Sequence, residues 1–136
     1  MNVQEIMSRD VLVARPTQSV QQAAEIMARE DIGSLPVGDD DRLVGVITDR
    51  DIAIRCIAQG QGPSTPVEAV MSKDVKYCFD DQEVREVAES MGSEQLRRLP
   101  VVNRDKRLVG IVALADVARA DRERSASTAL KGISRP

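Results

Sequence analysis

Thr48 and Asp51 stand three residues apart, directly after the aliphatic run Gly45-Val46-Ile47 and at the expected start of a helix. That spacing puts a hydroxyl and a carboxylate on the same side of a first helical turn. Such a pair has two uses. It caps the helix, the hydroxyl accepting from a backbone N–H while the carboxylate reaches back to the cap residue. Or it serves a ligand, the carboxylate accepting from neighbouring hydroxyls beside free N–H groups that suit an anion. Spacing alone leaves both readings open. A parallel segment, Gly110-Ile111-Val112-Ala113-Leu114-Ala115-Asp116, keeps the carboxylate at Asp116 but has Ala113 in place of the hydroxyl. Arg97-Arg98 is either a bidentate anion contact or a solvated surface pair.

Other chemistry is poorly supplied. The sequence contains no histidine, which removes the commonest general base and the commonest metal ligand. Cys56 and Cys78 form no Cys-x-x-Cys motif and read as two reduced thiols of a cytoplasmic protein, with no metal site. Asp39-Asp40-Asp41 falls in a polar turn and reads as solvated. No nucleophile stands with a base, so the chain is expected not to be an enzyme. A net charge of −3 gives no basic field for nucleic acid. Tyr77 and Phe79 are the only aromatic residues, too few for a base-stacking platform. No apolar run approaches the roughly 20 residues of a membrane span, and Met1–Glu5 shows no export signal.

The elements that must position these residues come in duplicate. Met7-Ser8-Arg9-Asp10-Val11 recurs as Met71-Ser72-Lys73-Asp74-Val75, Leu35-Pro36-Val37 as Leu99-Pro100-Val101, and Arg42-Leu43-Val44-Gly45 as Arg107-Leu108-Val109-Gly110, one extra residue entering the second turn. This is a doubled supersecondary unit. Each copy opens on a short extended segment, Val11–Ala14 or Val75–Cys78. A helix follows, with Val20, Ala23, Ala24 and Met27 on one face, and Val84, Val87, Ala88 and Met91 in the second copy. Ser19 with Gln22 reads as a capping box. Two strands flank a polar turn, Ser34–Val37 with Leu43–Ile47 and Leu99–Val102 with Leu108–Val112. A second helix starts near Asp49 and ends at Gly60, with its counterpart starting near Leu114. The expected fold is α/β: two pseudo-twofold related β-α-β-β-α units packed as a single module on an aliphatic core. The Gly- and Pro-rich stretch 59–66 is the linker. Domain limits of 3–60 and 67–120 follow, with 121–136 a mobile tail.

These markers carry a resemblance. The Met-Ser opening, the Leu-Pro-Val strand and Gly45-Val46-Ile47-Thr48-Asp49-Arg50-Asp51 occur in order and, in outline, twice. Each copy resembles a CBS domain, and the whole chain is similar to a stand-alone CBS pair, or Bateman module. The resemblance implies a regulatory module with no required cofactor that binds an adenosine-containing ligand (AMP, ADP, ATP, S-adenosylmethionine or NAD) in a cleft between its two copies. It also implies a homodimer that presents the ligand state to a regulated protein.

Carried over by position, Thr48 and Asp51 would hold the ribose and Val46 and Leu96 would pack on the base. Arg97 or Arg98 would meet phosphate, with Lys76 and Tyr77 completing the lining; Lys73 and Arg50 are weaker phosphate candidates. A second, weaker site would combine Asp116 with Leu12, Ile32, Gly33 and Ser34. It lacks both the threonine hydroxyl and a basic residue. The alternative is a ligand-free protein-interaction and dimerisation module whose nucleotide cleft is vestigial.

Overall fold

The aliphatic periodicity of Val20–Glu30 closes into helix α1. Ser19 Oγ accepts from Gln22 N–H at 3.1 Å and Gln22 Oε1 accepts from Ser19 N–H at 3.1 Å, so the capping box forms as read. The computed structural model describes residues 1–123; most of the expected tail, residues 124–136, lies outside them, while 121–123 are helical. Strands β1 (Ser34–Asp39) and β2 (Arg42–Thr48) pair antiparallel. Asp40 and Asp41 turn the chain between them, both at positive φ (52° and 64°), the conformation of a two-residue hairpin whose twist matches its strands. Helix α2 (Asp49–Asp51) continues at once into a π-helical stretch, Ile52–Ile57. Gly60 follows in the left-handed region at φ 79°, where glycine costs least.

The second copy repeats the plan with β3 (Cys78–Phe79), helix α3 (Val84–Glu94), β4 (Arg98–Val102), β5 (Leu108–Ala113) and helix α4 from 114 to 123. Its sheet runs in the order β3-β4-β5, with β3 and β4 parallel.

The structure departs from the sequence reading in two places. The opening segments are barely strands. Val11–Ala14 contributes one parallel bridge, Ala14 to Val37, and β3 begins only at Cys78. Pro36 and Pro100 have no N–H to donate to the residues before Ala14 and Cys78, so neither ladder extends further back. The second helix of the first copy is mainly π rather than α, whereas α4 is α-helical throughout its described length.

Packing also cuts across the sequence repeat. Val11–Lys76 with Asp105–Leu108 forms one compact unit. Met1–Asp10, Tyr77–Arg104 and the chain from Val109 form the other. We call them the first and second units by the helices they contain. Ala14, Val20, Ala23, Met27, Leu35, Val37, Ile47, Cys56, Val67, Val70 and Met71 bury together in the first unit. In the second, Val3, Cys78, Val84, Val87, Met91, Leu99, Val101, Val112 and Val117 do the same. Met1–Asp10, ahead of the first copy's extended segment, is thus packed in the unit of the second copy's hairpin, and residues 67–76 in that of the first copy's hairpin. Both cores are aliphatic with cysteine and methionine, and no polar side chain is buried among the described residues.

The exchanged openings rest on glycine. Ser72 and Val46 donate to each other's carbonyls at 2.9 Å, and Ser8 and Ile111 do so at 2.8 and 2.9 Å. Met71 and Ser72 thereby lie across Gly45, and Met7 and Ser8 across Gly110. A Cβ on Gly45 would fall 2.7 Å from the Ser72 carbonyl oxygen and 2.8 Å from Met71 Sδ; on Gly110 it would fall 2.5 Å from Met7 Sδ. The repeated Met-Ser and Gly markers are the two faces of one contact, made twice.

Candidate functional site

Strand β2 delivers Thr48 to the start of α2 with extended dihedrals, φ −116° and ψ 161°. Thr48 Oγ1 accepts from Asp51 N–H at 3.0 Å, and Asp51 Oδ2 accepts from Thr48 N–H at 3.0 Å. The capping box is therefore made. It uses one carboxylate oxygen. The other, Oδ1, lies 3.9 Å from Arg55 Nη1, and the Asp51 side chain keeps 18% of its surface exposed. Asp51 is thus held by its backbone surroundings yet open to a further partner. Gly33 accepts from Asp49 N–H at 2.9 Å through its carbonyl. That bond sets the loop Ile32-Gly33-Ser34 beside the motif in the first unit. Val46, half-buried, lies two residues before Thr48 on β2 itself and is bonded to Ser72.

The second unit builds the same junction with different residues. Asp116 Oδ2 accepts from Ala113 N–H at 2.9 Å, and Asp116 Oδ1 is engaged by Arg119 Nη2 at 3.0 Å. The loop before β4 is tied down by Leu114 N–H donating to the Arg97 carbonyl at 2.8 Å. Arg97 and Arg98 are exposed, and Leu96 packs partly against the core.

The predicted residues are therefore divided. Val46, Thr48, Asp51 and Lys76 of the proposed principal set belong to the first unit, as do Leu12, Ile32, Gly33 and Ser34. Tyr77, Leu96, Arg97, Arg98 and Asp116 belong to the second. Lys76 and Leu12 are exposed. Tyr77 is 43% exposed and meets Phe79 edge-on at 5.7 Å between ring centres. Arg104 lies over Phe79 and forks onto Asp81 at 2.8 and 2.7 Å. Those hydrogen bonds hold the Asp81 carboxyl below the usual carboxylate range. Sequence reasoning missed Arg55 and Arg119. A charge pair three or four residues along a helix is the signal that was present.

The cysteines are core residues. Cys56 Sγ faces the carbonyls of Gln61 and Gly62, and Cys78 Sγ faces that of Pro100 at 3.8 Å. Burial, aided by Asp80, pushes the Cys78 thiol up to about 12 from 9.0. The folded chain thus holds a proton that the unfolded chain releases above pH 9. Stability is expected to fall as pH rises from about 9 to 12, and Cys78→Ala is expected to flatten that part of a denaturation–pH profile. Among the described residues no three carboxylate or thiol side chains gather as metal ligands, and no helix is long and apolar enough to cross a membrane.

The CBS-domain family model matches residues 3–56 and 67–123. The chain belongs to the CBS domain family. Hypoxic response protein 1 of Mycobacterium tuberculosis is 39% identical over 134 residues, 97% of this chain and 93% of that protein. The crystal structure of Hypoxic Response Protein I, which holds two coordinated zinc ions, has a TM-score of 0.78 at 38% identity, covering 88% of this chain and 98% of that one. CBSX2 of Arabidopsis thaliana in complex with AMP has a TM-score of 0.79 at 28% identity over 91% and 98% of the two chains. The CBS domain pair of protein MJ0100, in complex with 5′-methylthioadenosine and S-adenosyl-L-methionine, has a TM-score of 0.74 at 32% identity over 91% and 98%. The chain is a tandem CBS pair, two CBS domains of mixed α/β structure, and the matched chains of CBSX2 and of the MJ0100 domain pair are in complex with adenosine compounds.

Proposed function

We propose that this CBS pair is a regulatory module that binds an adenosine-containing nucleotide, AMP, ADP or ATP in the first instance, and catalyses no reaction on it. The observation that carries the reading is the Asp51 carboxylate. One oxygen is spent on the cap, the other is free of any close bond, and the group stays partly exposed. That suits a ribose diol, whose hydroxyls donate to a charged acceptor. AMP bound to CBSX2 and the adenosine compounds bound to MJ0100 support the ligand class. The resemblance assigns further contacts to Val46, Lys76, Tyr77, Leu96, Arg97 and Arg98. Arg97→Ala and Arg98→Ala are expected to weaken phosphate-bearing ligands more than adenosine. Asp116 is proposed as the weaker acceptor, because Ala113 supplies no hydroxyl.

The test is thermal unfolding of the whole chain against AMP, ADP, ATP, S-adenosylmethionine and NAD. A ligand at 100 times its dissociation constant adds about 2.7 kcal/mol. If none of the five raises Tm or gives heat on titration, the reading fails. The ligand-free interaction and dimerisation module then takes its place. One observation favours that second reading: Ile54 and Ile57 are 48% and 57% exposed on the same helix, an apolar face of the kind partners cover.

A further inference from the structure

We propose that Arg55 is a positioning residue for the nucleotide site, steering the Asp51 carboxylate and tying it to the Met71–Ser72 segment that lies across Gly45. The inference rests on Asp51 being the ribose acceptor, and it deepens that reading by naming how occupancy of the site is passed on.

A single nitrogen makes the link. Arg55 Nη1 donates to the Met71 carbonyl at 3.3 Å and stands 3.9 Å from Asp51 Oδ1. Met71 is the residue packed on Gly45, and Ser72 is the residue bonded both ways to Val46. One guanidinium therefore connects the carboxylate of the Thr-x-x-Asp motif to the backbone of the Met-Ser marker. A ribose hydroxyl donating to Oδ1 shares that oxygen with Arg55 and so acts on the Met71 carbonyl as well.

Comparison of the two copies shows that the pairing is not a simple relic of duplication. With Asp51 aligned on Asp116, Arg55 aligns with Ala120, and Arg119 aligns with Ile54. Yet each aspartate has an arginine. In α4 the arginine is three residues on, at 3.0 Å. In the first copy it is four residues on, in the π-helical stretch Ile52–Ile57. A π turn holds an extra residue, so it carries residue 55 over the position that an α turn would give to an earlier one. The widened turn also places Cys56 in the core, whereas α4 buries Val117 and Ala120. The looser 3.9 Å contact leaves Asp51 Oδ1 more available than Asp116 Oδ1, which Arg119 already holds in a direct hydrogen bond.

The experiment uses the full chain and two readouts. Calorimetric titration with whichever of AMP, ADP, ATP, S-adenosylmethionine or NAD stabilises the wild type is run on Arg55→Ala, Arg55→Lys, Arg29→Ala, Asp51→Ala and the Asp51→Ala/Arg55→Ala double variant. Arg55→Ala is expected to weaken binding about tenfold, Arg55→Lys to recover part of the loss, and Arg29→Ala, whose exposed pair with Glu30 touches neither aspartate, to leave it unchanged. The Arg55 effect is expected to vanish in the Asp51→Ala background, the sign of coupling between the two side chains. Amide hydrogen exchange of the nucleotide-free protein is the second readout. Arg55→Ala is expected to speed exchange at Ser72 and Val46 but not at Ser8 and Ile111. Wild-type-like binding by Arg55→Ala, with Asp51→Ala impaired, overturns the proposal and spares the ligand reading. If no nucleotide binds the wild type, the ligand reading fails by itself, and unchanged exchange at Ser72 overturns the Arg55 tether independently.

Discussion

Asp51→Ala is expected to weaken nucleotide binding by roughly 10- to 150-fold, the range set by about 1.5–3 kcal/mol for hydrogen bonds to a charged acceptor. The same substitution removes the acceptor for Thr48 N–H, so a loss of binding by itself would leave capping and recognition entangled. Asp51→Asn separates them. Its amide oxygen still accepts from Thr48 N–H, and its backbone N–H still donates to Thr48 Oγ1, so the cap survives with Tm near wild type. The charge that strengthens acceptance from a ribose diol is gone, and affinity falls nearly as far as in Asp51→Ala. Thr48→Ala is the converse case, expected to cost about 0.5–2 kcal/mol of stability through the lost cap. Equal nucleotide affinity in wild type and Asp51→Asn, measured by calorimetry, would show that Asp51 is a cap and nothing more.

Gly45→Ala destabilises the chain by about 2–3 kcal/mol, at the upper end of ordinary overpacking costs. The added methyl would meet the Ser72 carbonyl oxygen at 2.7 Å and Met71 Sδ at 2.8 Å. A methionine tail can swing aside. A backbone carbonyl held by a pair of hydrogen bonds cannot, so the Met71–Ser72 segment must lift from β2 and release those bonds. Gly92→Ala is the control, since nothing lies within 4 Å of a Cβ there. In the interior of α3 the exchange of glycine for alanine should add roughly 0.5–1 kcal/mol. Chemical denaturation of the two variants beside the wild type checks both signs. A neutral Gly45→Ala would mean that the Met-Ser segment is not seated on the glycine in solution.

The duplication was legible because identical residues in identical order admit few explanations. The helices α1 and α3 were legible because an apolar stripe at helical spacing has to face a core, and Val20, Ala23 and Met27, like Val84, Val87 and Met91, do. The Ser19 and Thr48 capping boxes were readable for the same local reason: both partners lie within one turn. What the residues did not announce depends on chain segments far apart in sequence. Nothing local to Met7-Ser8 shows that it seats on Gly110, or that Met71-Ser72 seats on Gly45. Those contacts are chosen by which strand edge is left open once the hairpins have formed.

The widening of the second helix is of the same kind. Ile52–Ile57 has no proline or glycine to mark it, and its π turn appears only where Cys56 has to reach the core while Arg55 reaches the Met71 carbonyl. Sequence by itself determined the two-copy α/β plan, the aliphatic cores and the Thr48–Asp51 cap, because periodicity and capping act over a few residues. Tertiary structure alone decided which opening segment packs on which glycine and which arginine answers each aspartate, because those choices rest on close packing between segments that the chain order does not place side by side.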